Sequence, residues 1–410
     1  MSVFKNRSFT SMWIGNASSE LGGAFGTFCN SLLIYEITGS TVALGSMWLL
    51  YFLPSLVLQL FSGPYIDKWS RKWIMIIALW SRGLIFLIPL IAYMIGVVAP
   101  WHIYAVQIIV GLITPLYVPA NQAILPTIVS KEQLPTANAY VDGTARLMMF
   151  TAPFVAGLVI EYVGIQITYI LVCSLLLISG CLLLAVREKR INQDVRKTWA
   201  EQFVEGISYF FKQRVIVWLG VFLAFVQFGV GVTMVITLPY ITDELNGSYA
   251  MYGYFMAGFP LGYVIGSLLV GKMKVQRRRI LMLGALVIGG STFIALGLTQ
   301  SIALAITTEI IGGIAMAVFN VHNTTITQQI VPNHLMGKVF SVRMLIIRGM
   351  MPLGVLAGGI LSELWGIRTM YIMIGTVICT VSLLGLILPY FRFIDGSLEE
   401  KEDVLRRVGS

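Results

Sequence analysis

Charged residues are scarce in this chain of 410 residues. Only 11% of its residues are Asp, Glu, Lys or Arg, whereas 57% are hydrophobic, and its mean hydropathy is +0.83. Soluble domains usually carry about 25% charged residues. The apolar residues here come in runs of about 20, which is the length that a helix needs to cross a bilayer. The composition therefore excludes a soluble globular domain and predicts an all-α, multi-pass membrane protein.

Cysteine is also scarce, and the positions of the cysteines exclude its usual structural roles. The four cysteines, Cys29, Cys173, Cys181 and Cys379, all lie in apolar stretches without metal-ligand spacing. Cys173 and Cys181 are separated by about 12 Å along one helix, which is too far for a disulfide. We therefore expect no metal site and no disulfide.

Motifs for nucleotide binding and catalysis are missing as well. No Walker loop, nucleophile elbow, H-E-x-x-H or G-x-G-x-x-G occurs in a usable context. An ATP-driven pump or an enzyme is therefore not indicated, and no cofactor is expected. The net charge is +9, but the bases are spread over alternate loops and form no single basic patch, so we expect no nucleic acid partner.

What the chain has instead is a series of twelve apolar stretches, each long enough to be a transmembrane helix. They lie near 11–35, 42–63, 73–97, 101–123, 138–161, 167–186, 215–242, 250–271, 280–298, 301–325, 338–361 and 368–391. The even-numbered connections and both tails carry nearly all the bases, and Arg368 is the clear exception. By the positive-inside rule, these loops and both termini are cytoplasmic. The opposite side carries acids, namely Glu36, Glu161, Asp243, Glu244 and Glu363.

The two halves of the chain repeat each other when shifted by 202 residues. Asn121 then falls on Asn323, and the segment 157–165 falls on 359–367, with matching Gly, Glu and Gly positions. Parallel repeats of this kind are typical of transporters. The repeat predicts a six-helix half over 1–190, a second over 215–395, and a charged cytoplasmic tail over 396–410. The segment 191–214 between the halves is predicted to be an amphipathic cytoplasmic helix, either a mechanical linker or a partner-binding element.

The connection between the second and third stretches carries the most specific motif. Gly63, Asp67, Lys68, Arg71 and Lys72 fit the pattern G-x-x-x-D-(K/R)-x-(G/S)-R-(K/R). This pattern resembles the gating loop of the major facilitator superfamily, although a plain basic turn is the alternative. The resemblance implies transport by alternating access. It also implies that Asp67 meets the start of the eleventh span, near 338–342, when the cytoplasmic side is closed.

Three further stretches resemble one branch of that superfamily. They are the residues 18–22 with 35–45, the residues 119–139, and Glu205-Gly206 followed by aromatic residues. Together they resemble the drug:proton antiporter branch that contains macrolide efflux pumps and the enterobactin exporter. Ala152-Pro153-Phe-Val-Ala156-Gly157 is similar to the antiporter motif G-P-x-x-G-G, with alanine at two glycine positions; an ordinary packing seam with a proline kink is the alternative.

Two acids lie in the middle of predicted spans, where a charge costs at least a few kcal/mol. Glu20 in the first span and Glu309 in the tenth are the candidates for a carboxyl that binds and releases a proton. Polar residues at helical spacing accompany them. The substrate-cavity candidates are Asn16, Thr27, Gln107, Thr114, Asn121, Met316, Asn320 and Asn323. The resemblance implies that the first, fourth, seventh and tenth helices line the cavity.

The alternative for each acid is a permanent pair with a buried arginine. The candidates for such structural charge pairs are Arg82, Asp142, Arg146 and Arg348.

From the spans, the motifs and the mid-span acids together, we predict a monomeric, proton-coupled exporter of amphipathic drugs, antibiotics or siderophore-like solutes in the cell membrane, with antiport and multidrug resistance as its expected roles. Its partners are a small-molecule substrate, protons and the lipid bilayer. A proton-coupled importer or metabolite facilitator and a non-transporting membrane sensor remain alternatives.

Overall fold

A computed structural model describes the backbone of residues 3–130, 132–188, 199–270, 277–331 and 336–394. All the regular structure in these ranges is helical. The α-helices are α1 (Arg7–Thr38), α2 (Thr41–Lys68), α3 (Arg71–Ile85), α4 (Leu87–Met94), α5 (Pro100–Ile128), α6 (Leu134–Val163), α7 (Ile165–Leu183), α8 (Trp199–Lys212), α9 (Arg214–Pro239), α10 (Tyr249–Val270), α11 (Arg278–Leu298), α12 (Ile302–Ile330), α13 (Met336–Trp365) and α14 (Ile367–Ile387). The predicted tail 396–410 lies outside the described residues.

Local sequence signals account for the ends of several helices. The Asn6 side chain accepts hydrogen bonds from the backbone N–H groups of Ser8 and Phe9, which begins α1. Gly39 ends the same helix with φ of 60° and donates its N–H to the Tyr35 carbonyl. Only glycine adopts this left-handed conformation without steric cost, so α1 and α2 are separated by a sharp turn at Gly39.

Nine helical segments in the described part of the chain are long and apolar enough to cross a membrane. Three predicted spans fall on helices outside this set, namely α1, α6 and α13. In α1 polar residues such as Asn16 and Glu20 interrupt the apolar stretch. Among the described residues of α6 and α13, the apolar segments are Thr151–Val163 and Gly349–Trp365. The chain is therefore a multi-pass helical membrane protein, while the count of twelve spans stays a prediction.

The third predicted span, 73–97, is not one helix. It consists of α3 and α4, which meet at Phe86. Pro89 lies in the first turn of α4. Because proline has no N–H group, it cannot donate to the carbonyl of Ile85 four residues earlier, and the helical hydrogen bonding is interrupted at this point.

The chain divides into two compact units. The first unit comprises residues 1–201, 230–257 and 351–367. Within it, α1 packs against α6 and α7, and α2 and α3 pack against α5. Small residues permit these approaches: a Cβ on Gly111 of α5 would clash with the Tyr51 carbonyl oxygen of α2 at 2.4 Å.

The second unit comprises residues 202–229, 258–350 and 368–410. Within it, α11 packs against α12, and α12 approaches α10 closely at Gly313. A Cβ on Gly313 would lie 2.1 Å from the Phe259 carbonyl oxygen. Gly313 is 202 residues after Gly111, so these two glycines have the same packing role in the two parts of the sequence. The boundaries of the predicted halves stay predictions.

The segment between the predicted halves contains the helix α8, and the residues 189–198 before it lie outside the described ranges. Phe210 is only 2% exposed and packs with Ile216, Val331 and Val339. The Tyr209 hydroxyl also donates to the Ile330 carbonyl at 3.0 Å. The C-terminal part of α8 is thus anchored on the second unit.

Candidate functional site

A polar network joins α1 to α5 in the first unit. The Asn16 side chain is 6% exposed and donates from Nδ2 to Asn121 Oδ1 at 2.8 Å. The Tyr117 hydroxyl donates to Asn16 Oδ1 at 3.1 Å. Two members of the predicted cavity stripes are therefore in direct contact. Tyr117 was not among the predicted residues, although it lies one helical turn before Asn121 and shares its face.

Glu20 lies one turn after Asn16 on α1, and its side chain is exposed in the isolated protein. The positive charge of Arg82, on α3, interacts electrostatically with the Glu20 carboxylate. The guanidinium of Arg82 is held against α1 at Gly23, where a Cβ would lie 2.7 Å from the Arg82 Nη2 atom. The absence of a side chain at position 23 leaves the space that this guanidinium occupies. The structure therefore places the Arg82 guanidinium beside Gly23, one turn from Glu20.

Glu309 has different surroundings. It lies half-buried on α12 and packs against α10, where a Cβ on Gly258 would lie 3.1 Å from the Glu309 Cβ atom. Its carboxyl is affected by burial, and within the described part of the chain no charged residue interacts with it electrostatically. The two predicted acids thus differ: Glu20 has an arginine nearby, and Glu309 has an uncharged environment.

The remaining substrate-cavity candidates are buried or half-buried, or bond within their own helices. The hydroxyls of Thr27 and Thr114 donate to the carbonyls of Gly23 and Val110 in their own helices, at 3.0 and 2.7 Å. Gln107 and Asn323 are buried, with 4% and 1% exposure. Met316 and Asn320 are half-buried.

The gating motif is divided between two helices. Gly63, Asp67 and Lys68 lie in the last turns of α2, and their side chains are outside the described part of the structure. Arg71 and Lys72 begin α3. The expected contact of Asp67 therefore stays a prediction.

The start of α3 is capped by Glu188, which follows α7. Its carboxylate accepts from the Ser70 hydroxyl at 2.5 Å and from the backbone N–H groups of Arg71 and Lys72 at 3.1 and 3.2 Å. It also forms an ion pair with the Arg71 guanidinium at 3.8 Å. Glu188 was not among the predicted site residues. It could have been recognised in the sequence as the single acid within the basic stretch Arg187–Arg190.

The other predicted charge pairs involve Asp142, Arg146 and Arg348. The side chains of Arg146 and Arg348 lie outside the described residues, and Asp142 is exposed on α6. Their pairing stays a prediction.

Acids and tyrosines form hydrogen bonds at the ends of helices in the first unit. The Tyr35 hydroxyl donates to Asp243, and the Tyr249 hydroxyl donates to Glu36 at 2.6 Å. These bonds join the end of α1 to the residues 243–249, which lie in the other predicted half of the chain. The acids that mark the odd-numbered connections thus have specific partners.

One apolar pocket of about 300 Å³ lies in the second unit. Its lining residues belong to α8, α9 and α13, and they are Phe210, Phe211, Val217, Gly220, Val221, Ala224, Phe225 and Met350. Within the described ranges, no group of three His, Cys, Asp or Glu residues is placed to hold a metal ion.

Long apolar helices, close glycine contacts and mid-helix acids define a helical membrane transporter. Residues 1–402 match the family model described as transmembrane secretion effector, within the major facilitator superfamily. The chain therefore belongs to this family of the major facilitator superfamily, which consists of transporters and not of enzymes.

Curated relatives agree with this assignment. The chain is 23% identical over 386 residues to an uncharacterized MFS-type transporter of Bacillus subtilis, with 92% of this chain and 90% of the relative covered. It is 24% identical to macrolide efflux protein A of Streptococcus pyogenes, covering 94% and 97%. It is also 24% identical to the enterobactin exporter of Shigella dysenteriae, over 58% and 56% of the two chains.

Solved structures agree with the fold. A nucleoside transporter superposes with a TM-score of 0.74 at 12% identity, covering 93% of this chain and 99% of the other. A bacterial homologue of the iron transporter ferroportin superposes with a TM-score of 0.73 at 14% identity, covering 93% and 99%. At these identities the likeness concerns the fold alone.

Proposed function

We propose that this chain is a proton-coupled exporter of amphipathic small molecules, such as macrolide-like drugs or siderophore-like solutes. It works by alternating access of twelve transmembrane helices in two six-helix halves. It lies as a monomer in the cell membrane, with both termini in the cytoplasm. The relatives named as a macrolide efflux protein and an enterobactin exporter support the direction and the substrate class.

The observation that carries the proposal is the position of Glu20. It lies one turn from the hydrogen-bonded Asn16 and, in the other direction, one turn from Gly23, where the Arg82 guanidinium is held. A charge within the membrane is costly and is retained where it is paired or where it functions. A proton that binds to the Glu20 carboxylate would end its attraction to Arg82, so protonation would change how the Arg82 side chain is held beside Gly23 of α1.

In this mechanism Glu20 takes a proton from the outside and releases it to the cytoplasm, while the substrate moves in the opposite direction. The amides of Asn16 and Asn121 and the hydroxyl of Tyr117 supply donors and acceptors for a polar part of the substrate. Glu309 is the second candidate for the proton-binding acid, because no charged residue in the described part of the chain holds it ionised.

The test is a flux measurement in proteoliposomes that contain a pH dye. In inside-out vesicles, an acidic lumen should drive uptake of a macrolide, with alkalinisation of the lumen that depends on the macrolide. Enterobactin serves as the second probe. Uptake into right-side-out vesicles driven by external acid would identify an importer instead. The absence of flux with a panel of amphipathic cations, macrolides and siderophores would favour a non-transporting sensor.

A further inference from the structure

The outer end of α6 contacts the start of α10 through a carboxylate. Glu161 Oε2 accepts a hydrogen bond from the backbone N–H of Tyr249, the first residue of α10, at 3.1 Å. One turn deeper the two helices meet at glycines. A Cβ on Gly157 would lie 3.1 Å from the Gly253 Cα atom, so the helix backbones are in close contact.

The outer end of α13 contacts the start of α2 in the same way. Glu363 Oε1 accepts from the Val42 N–H at 3.2 Å and from the Ser40 hydroxyl at 2.5 Å. One turn deeper, a Cβ on Gly45 would lie 3.3 Å from the Gly359 Cα atom.

On the side of the glutamates the two contacts correspond residue by residue. Glu161 and Glu363 are 202 residues apart, as are Gly157 and Gly359. In each pair the glutamate follows its glycine by four residues, so both lie on one face of their helix. The partner helices, α10 and α2, each begin four residues before the glycine that they contribute. All these residues lie in the first compact unit.

The physical basis is the unsatisfied start of a helix. The first N–H groups of a helix have no partner within it, and this end carries roughly half a positive charge. In α10 and α2 a carboxylate from a helix in the other predicted half supplies both the acceptor and the negative charge. Neither helix start can keep this partner if the two predicted halves separate at this side.

We propose that Glu161 and Glu363 are positioning residues that close the outer side of the transport path. We call the two contacts, Glu161 with Tyr249 N and Glu363 with Val42 N, the outer latch. The latch rests on the proposed function, because it needs alternating access and the proposed orientation. It touches no substrate: it forms when the outer side is closed and breaks when that side opens.

The electrostatic surroundings of Glu363 favour an ionised carboxylate at this contact. Glu363 lies beyond the predicted span 338–361, and the Ser40 hydroxyl and the Val42 amide hold the pKa of its carboxyl below the usual range. The groups that face the two contacts are the hydroxyls of Tyr35 and Tyr249 and the carboxylates of Glu36 and Asp243. Tyr249 takes part in both the latch and the neighbouring tyrosine–acid bonds, since its N–H donates to Glu161 and its hydroxyl donates to Glu36.

The test uses the full chain in lipid nanodiscs, with Glu161→Ala, Glu363→Ala and the double variant. Glu132→Ala is the matched control, because Glu132 is an exposed carboxylate in the connection before α6. Spin labels at the exposed positions Tyr162 and Met251 report on the first contact, and labels at Leu364 and Val42 report on the second. Hydrogen exchange at the starts of α2 and α10 gives a second readout.

Each single variant should raise the population with separated labels at its own contact by about two- to tenfold, as expected for a charge at a helix start. The double variant should separate both pairs, and the control neither. Glu161→Gln and Glu363→Gln keep an oxygen acceptor without the charge, so they should give intermediate values and serve if the alanine variants fold poorly. Unchanged distances and exchange in the double variant would overturn the latch.

These readouts need no transport, so the two proposals can fail separately. Separation of the labels in a protein without proton-coupled flux would support the latch contacts and overturn the export proposal. Wild-type flux together with unchanged distances in the double variant would leave the export proposal standing and remove the latch.

Discussion

At the scale of single residues, the two membrane acids are distinguished by their neighbours. Glu20 shares its surroundings with Arg82, whereas Glu309 packs against Gly258 and has no charged residue acting on it in the described part of the chain. In the sequence both acids lie at a similar depth in their predicted spans, so both were predicted to be proton-binding candidates. A paired acid changes the forces between two helices when it takes up a proton, and an unpaired acid does not.

Glu20→Gln should therefore abolish most of the substrate-dependent proton flux, because an amide cannot exchange a proton at this position. Some stability should be lost as well, because the variant leaves the Arg82 charge in the membrane without its acid. Flux in proteoliposomes and thermal unfolding in detergent measure the two effects.

Glu309→Gln is the matched control for that variant, since it removes an acid from a similar depth in a helix. Flux at the wild-type rate in Glu20→Gln, with loss of flux in Glu309→Gln, would transfer the proton-coupling role to Glu309. The double variant Glu20→Gln with Arg82→Gln separates the effect of the lost proton site from that of an arginine left without its partner.

At the scale of elements, carboxylates from distant parts of the chain cap the starts of helices. Glu188 caps α3, Glu161 reaches α10 and Glu363 reaches α2. The three contacts differ in what they join. Glu188 and α3 lie in the same predicted half, so this cap holds one half together, whereas the other two caps join different halves and can open.

Glu188→Ala should destabilise the start of α3 by about 1–2 kcal/mol, because the Ser70 hydroxyl, two N–H groups and the Arg71 guanidinium lose their acceptor. Glu188→Gln should retain about half of that stability, since its amide oxygen can still accept. Hydrogen exchange at Arg71 and Lys72 and denaturant unfolding measure the effect. Glu132→Ala is the control, and equal exchange rates in Glu188→Ala and the control would contradict the capping role.

At the scale of the whole molecule, the distribution of charge predicts the orientation in the membrane. Nearly all the bases lie in the even connections, with Arg368 as the exception, and this predicts that Glu132 is on the cytoplasmic side and Tyr162 on the outer side. In a variant without native cysteines, an impermeant maleimide added to intact cells should label Tyr162→Cys and not Glu132→Cys. The opposite labelling would reverse the proposed orientation, and with it the outer latch.

The helices were largely predictable from the sequence, and the differences between predicted and observed helix bounds have local causes. Each of the twelve predicted stretches coincides with helix in the described ranges, because apolar runs of this length have few other stable forms in lipid. The break at Phe86 was missed, although Pro89 marks it. The helices also extend past the apolar stretches, as α2 does to Lys68, because hydrogen bonding continues into polar residues where hydropathy falls.

The site was predictable in part. Asn16 and Asn121 were named from their helical spacing, and the structure joins them. Arg82 was named as a possible partner of Glu20; its guanidinium lies beside Gly23, one turn from Glu20, and the pairing itself stays a prediction. Tyr117 and Glu188 were missed because their sequence signals do not show which residues they contact: Tyr117 bonds across to α1, and Glu188 bonds to a helix that begins 117 residues earlier in sequence.

The sequence alone determined that this protein is helical, lies in the membrane and belongs to a transporter superfamily. These properties follow from hydropathy, from the need to satisfy every backbone group in lipid and from a motif of ten residues. Only the tertiary structure decided which carboxylate meets which helix start and which acid has an arginine nearby. The carboxylate contacts at helix starts join residues 88 to 321 positions apart, and their existence depends on how closely glycines let the helices approach, a distance that no local pattern encodes.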